Sequence, residues 1–264
     1  DTLTQIAVES IVAQEDLKRI DAGITNSQDY FAQLLKDVKG NANVSQSQID
    51  SIMKKAQADI NAAGGVKKLS VYDINKIMLA ACGGVKGSEE KPHTAIDTIM
   101  QNIAQNIINS IPNEIKEDIK NFDMSNQSEN KVLESNYFSA YKGSLVIRHD
   151  IEGMTSWGIF GTIFLNKSET TSSFDSINTV KHEYGHNVQE EELGLLKYIQ
   201  YIAIPSVIAF NQNLTNEEYY SNPWERSADI FGGVDRKNYT EESWGNAYDY
   251  WKCITTGDIE KFKM

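Results

Sequence analysis

The chain has 264 residues, 40% of them hydrophobic, which is enough for one large or two small globular domains. Its net charge of −12 and pI near 4.8 argue against nucleic acid or an anionic membrane as the main partner, because both are met by clustered Lys and Arg. Two cysteines, Cys82 and Cys253, have no neighbouring Cys or His at metal-site spacing and read as buried free thiols rather than a disulfide.

From Asp1 to Asn121 the pattern is helical. With no basic segment ahead of an apolar run, the beginning reads as a mature form or as part of a longer polypeptide. Apolar residues between Ile6 and Ile20 suggest one helix, and Tyr30, Phe31, Leu34, Leu35 and Val38 a second that Gly40 ends. Ser45 with Gln48 makes a capping box ahead of Ile49, Ile52, Ala56 and Ile60, and Gly64-Gly65 closes that helix. Ser70 with Asp73 repeats the device before Ile74 and Ile77. Thr94 is placed to cap a longer helix carrying Ile96, Met100, Ile103 and Ile107, which Pro112 interrupts; His93 then reads as a loop residue. A short helix is expected over Ile115 to Phe122. Residues 123–136, rich in Ser, Asn and Glu, read as a linker.

Beyond the linker the period changes. Ser144–Asp150 and Trp157–Leu165 are β-rich runs with a turn at Gly153 between them. His149, beside Arg148 and Asp150, reads as a structural strand residue rather than a ligand. Next comes Val180-Lys-His-Glu-Tyr-Gly-His-Asn-Val-Gln189, on a helix that Asp175 or Ser176 is placed to cap. Four residues along a helix are about 400° of rotation, so His182 and His186 project from one face, roughly 6 Å apart along the axis. That spacing lets two imidazoles reach one Zn²⁺, with Glu183 turned aside to polarise a water on the metal. Gly185 removes a side chain where another element could come close.

A third ligand has to come from elsewhere. Gln189 stands where a metzincin-type turn would need Gly, and Glu192 would lie about 15 Å along the axis from His182. Glu190 sits a full turn past His186. Downstream, Tyr219-Tyr-Ser-Asn-Pro-Trp-Glu-Arg-Ser-Ala-Asp-Ile-Phe-Gly-Gly233 has a helix start at Ser221 or Asn222 before Pro223, and a stop at Gly232-Gly233. Glu225 and Asp229 fall one turn apart on one face. Glu225 is the expected ligand, and Asp229 the expected partner of a ligating imidazole, His182. Between the two motifs, Gly194–Phe210 is too short and too polar for a membrane span and reads as a buried helix pair bent at Pro205. Tyr239, Trp244, Tyr248, Tyr250 and Trp251 suggest a C-terminal aromatic helix.

His-Glu-Tyr-Gly-His followed by Glu-x-x-x-Asp resembles the gluzincins, the thermolysin-like zinc peptidases. The longer pattern, including Ile202-Ala-Ile-Pro-Ser-Val207 and Tyr219–Val234, resembles metallopeptidase domains at the C-termini of bacterial RHS-repeat and other polymorphic-toxin-like proteins. The resemblance covers about residues 135 to 255. It implies a zincin-like catalytic domain over 137–264, with a small sheet and an active-site helix; with the helical pattern of residues 1–122, which reads as an all-helical accessory or pro-like module, the fold class expected is α+β, mostly α. The resemblance further implies one Zn²⁺ held by His182, His186 and Glu225, Glu183 as general base, and a protein or peptide substrate. Residues 158–165 would be the substrate-binding edge, with Gly158, Ile159, Phe160 and Gly161 at its start. Tyr219, Tyr220 and Tyr248 are alternative oxyanion donors. The family setting points to a secreted or extracellular bacterial protein or a delivered effector, and leaves room for a cognate inhibitor or immunity protein. The competing expectation is a catalytically silent zinc scaffold that works as a protein-interaction module.

Overall fold

The computed structural model describes residues 26–36, 46–65, 92–124, 136–152, 154–169, 173–210, 214–234 and 241–258, together with isolated positions between them. Helices α1 (Asn26–Lys36), α2 (Gln46–Ala62), α3 (Pro92–Asn109) and α4 (Asn113–Lys120) precede strands β1 (Phe138–Tyr141), β2 (Ser144–His149), β3 (Trp157–Ile159) and β4 (Thr162–Asn166). After a 3₁₀ turn at Lys167–Glu169 come α5 (Ser173–Leu193), α6 (Leu195–Tyr198), a π-helical segment (Ile199–Ala203), α7 (Ile204–Phe210), α8 (Asn216–Tyr220), α9 (Pro223–Gly232) and α10 (Glu241–Thr256). The protein is α+β, mostly helical with a small mixed four-stranded sheet. The helix expected between Ile6 and Ile20, most of the one after Ser70, Ser45, Cys82, Tyr239 and most of the 123–136 linker lie outside the described residues. Cys253 is a free thiol.

The chain divides into two compact units. The first comprises residues 1–40, 103–192 and 228–235, the second 41–102, 193–227 and 236–264.

In the first unit the strand order is β1-β2-β4-β3, with β2 and β4 parallel and the two outer pairings antiparallel. Each antiparallel pair is closed by two residues with positive φ: Lys142 (46°) and Gly143 (82°), then Phe160 (57°) and Gly161 (65°). Left-handed backbone at both central positions gives type I′ turns, whose twist matches that of the strands. The run 157–165 is therefore two strands. Residues 162–165 lie inside the sheet, so of the expected substrate edge only β3 and its turn stand at a border. Phe160 hid the break, because a bulky residue with positive φ is uncommon.

Alternation along β2 sorts its residues between two covered faces, and all six are buried. Ser144, Val146 and Arg148 share a face with Tyr141, Ile163 and Gly158 by register. Helix α5 covers that face: Asn187 Nδ2 donates to Ser144 Oγ at 3.1 Å, and Tyr184 meets Tyr141 edge-on, 5.5 Å between centroids. A Cβ on Gly158 would lie 2.0 Å from the Glu183 carbonyl oxygen, so β3 reaches the helix backbone because it has no side chain there. Leu145, Ile147 and His149 point to the opposite face. There Phe122 packs edge-on against Phe138 at 5.1 Å, and α1 lies against β2. Gln28 Nε2 ties α1 to the end of α4, donating to the carbonyls of Ile119 and Phe122 at 3.0 and 2.8 Å.

In the second unit, α2 ends with Gly64 at φ 103° while the Gly65 N–H reaches back to Ile60 O at 2.9 Å, a Schellman closure of the expected kind. Helix α3 begins at Pro92, where a missing N–H costs nothing, so His93 and Thr94 lie in its first turn rather than in a loop and a cap. From Leu195 to Phe210 the chain is helical throughout, with the π segment directly ahead of the helix that contains Pro205. The π segment takes up Pro205: the Ile204 N–H bonds Ile199 O, and Tyr201 O, which Pro205 has no N–H to satisfy, accepts the Tyr250 hydroxyl of α10. Burial pushes the Tyr250 phenol well above its ordinary pKa and keeps it a donor. Trp224 packs on Tyr250 at 6.1 Å. Helix α8 starts with a capping box formed by Thr215 and Glu218.

Candidate metal centre

Helix α5 runs unbroken from Ser173, ahead of the expected caps, to Leu193 and carries both His182 and His186 in its interior. What brings α9 to it is glycine at two positions. A Cβ on Gly185 would lie 1.9 Å from Ala228 O, and one on Gly232 1.9 Å from Lys181 O. The two helices thus touch backbone to backbone, closer than any side chain would allow. Helix α9 has the anticipated ends: Asn222 O accepts the Arg226 N–H at 2.8 Å, and the Val234 N–H reaches back to Asp229 O at 2.9 Å across Gly233, whose φ is 72°.

This crossing sets Asp229 against His182, with Oδ1 2.8 Å from Nδ1. Glu225, one turn earlier on α9, converges with both imidazoles: one ligand atom from each of His182, His186 and Glu225 lies within 4.8 Å of the others. The two rings are 4.7 Å apart and nearly perpendicular. Among the described residues this is the one group of three or more such side chains placed to hold a metal ion. His182, Glu183, His186, Glu225 and Asp229 are all buried. Three carboxylates removed from water beside two imidazoles are costly in isolation, and a divalent cation offsets that cost. Two His and one Glu are also a donor set that Zn²⁺ takes in sites with an open position. The residues present fit the ion.

Two partners were not anticipated. Gln189, the residue that excludes a metzincin turn and the last of the pattern His-Glu-Tyr-Gly-His-x-x-Gln, is fully buried and places Oε1 2.7 Å from His186 Nδ1. Glu190 is not one of that group; its carboxylate accepts the Phe160 N–H and fastens the β3–β4 turn to α5. The i, i+3 spacing of His186 and Gln189 was the available signal for the first. Nothing in the sequence pairs Glu190 with Phe160.

The other candidates are dispersed. His149 lies on the sheet face turned away from α5 and is not a ligand, because β2 alternation sends odd-numbered residues to the far side. Tyr219 shares a hydrogen bond with Ser206 Oγ at 2.9 Å, and Tyr220 lies under the Arg236 guanidinium at 3.4 Å. Tyr248 is exposed on α10. Gly158 and Ile159 are in β3, and Phe160 and Gly161 form its turn.

No family model, curated protein or solved structure matches the chain. No helix among the described residues is long and apolar enough to cross a membrane.

Proposed function

We propose that the chain is a zinc metallopeptidase of gluzincin type, with a zincin-like domain formed by the sheet, α5 and α9. The observation that carries this reading is the convergence of His182, His186 and Glu225 beside a buried Glu183 that the same helix supplies. Zn²⁺ bound there supplies a Lewis acid that polarises a peptide carbonyl and makes water acidic. His182, His186 and Glu225 hold it, and Asp229 fixes the His182 ring. Glu183 takes a proton from the attacking water and delivers it to the leaving amine. An extended peptide would lie along β3 and its turn, from Gly158 to Gly161, the border strand that touches α5 at Glu183. Oxyanion stabilisation falls to one of Tyr219, Tyr220 and Tyr248.

Under this reading the protein acts on proteins or peptides, as a secreted bacterial enzyme or delivered effector held in check by a cognate inhibitor. Wild type should retain one zinc per chain and cleave a denatured protein mixture, read by mass spectrometry of new termini. Glu183→Gln should keep the zinc and lose about 10²- to 10⁴-fold in cleavage rate. Equal cleavage by the two proteins would sink the enzyme reading and leave a zinc scaffold.

A further inference from the structure

His182 and His186 are held in different ways. Asp229, a carboxylate from α9, engages Nδ1 of His182, whereas Nδ1 of His186 meets a neutral amide from its own helix. Gln189 is fully buried, and a long polar side chain loses rotamer freedom and hydration when enclosed. A hydrogen bond to the imidazole offsets part of that cost. An amide oxygen can only accept, so the proton of His186 stays on Nδ1 and the lone pair of Nε2 is left for a ligand.

We infer that Gln189 is a positioning residue of the metal centre: it selects the tautomer and ring angle of His186 from within α5, as Asp229 does for His182 from α9. The inference rests on the zinc reading above. It adds that the centre is oriented by one charged and one neutral acceptor, the second supplied by the helix that carries His186 itself.

Gln189→Leu keeps the bulk and removes the acceptor, while Gln189→Glu keeps an acceptor of the same length. Zinc affinity is measured for each by competition with a chromophoric chelator, and Co²⁺ is substituted to read the ligand-field spectrum. Gln189→Leu should bind zinc about 10- to 100-fold more weakly, with an altered Co²⁺ spectrum, and Gln189→Glu should match wild type or bind more tightly. If Gln189→Leu does not fold, Gln189→Met replaces the amide oxygen by a far weaker acceptor on a more adaptable chain. Wild-type affinity and spectrum in whichever of these two variants folds would overturn the inference alone, and so would a loss in Gln189→Glu equal to that in Gln189→Leu. Absence of zinc binding by wild type would overturn the function itself.

Discussion

Among the described residues histidine is buried in two places, and in only one of them do side chains converge so that they could hold a metal ion. His182 and His186 have Nδ1 engaged, by Asp229 and Gln189, and converge on Glu225. His149 is buried as deeply, at 1% exposure, but on the opposite face of the sheet, and neither ring nitrogen makes a hydrogen bond of ordinary geometry. Burial lowers its pKa, with the Thr155 backbone and Asp150 acting weakly the other way. A buried imidazole is therefore not by itself a sign of function; partners that orient it toward a shared point are. Removing what creates that convergence should cost far more than altering the isolated ring.

The largest effect is expected from Gly185→Ala. The added carbon would meet the Ala228 carbonyl at 1.9 Å, and a backbone oxygen has no rotamer through which to withdraw. The helices must part, which should cost about 3 kcal/mol or more in denaturant unfolding and abolish zinc binding. Gly194→Ala is the control: its φ of 75° also disfavours a side chain, yet nothing lies within 4 Å, so about 1–2 kcal/mol and unchanged zinc affinity are expected. Equal costs at the two positions would mean that close helix contact does not build the site.

Second is Glu225→Ala. Added zinc at about a hundred times its dissociation constant should stabilise wild type by about 2.7 kcal/mol in thermal unfolding, and the variant by much less at the same concentration. Full stabilisation of the variant would mean that the histidines bind the ion without α9. Smaller still is Asp229→Ala, for which zinc affinity should fall about 10- to 100-fold while Asp229→Asn, which keeps an acceptor, stays closer to wild type. Indistinguishable affinities in all three proteins would remove the role of Asp229.

Much of this centre was legible because it rests on helix periodicity. His182, His186 and Gly185 lie within one short helical stretch, and Glu225 and Asp229 are one turn apart between Pro223 and Gly232-Gly233, so their relative directions follow from 3.6 residues per turn. What the sequence hid depends on pairings distant along the chain. The border position of β3 is fixed by register with β4, and its turn by Phe160 in a conformation that glycine or asparagine would have advertised. Strand β1 was not foreseen, since Phe138-Ser-Ala-Tyr141 is too short to carry a period. The π segment owes its fit to a hydroxyl from Tyr250, far from Pro205 in sequence. Gln189 was visible at i+3 from His186, but spacing alone does not say that a glutamine turns inward.

The smallest effect tests the isolated ring. Burial holds the folded-state pKa of His149 below its ordinary value, so the native protein keeps it neutral and the unfolded chain protonates first as pH falls. Its contribution to stability is complete above the unfolded pKa and is lost as pH drops from about 6.5 toward the folded value. His149→Leu removes that proton linkage and nothing at the metal centre. Urea midpoints, measured with a chelator at about pH 7.5 and pH 5, should therefore fall further in wild type than in the variant as pH drops. Every other titratable group is common to the two proteins, so the difference between the two curves isolates residue 149. Parallel curves would show that the far face does not hold a neutral imidazole, and weakened zinc binding in His149→Leu would mean that the two faces of β2 are not independent.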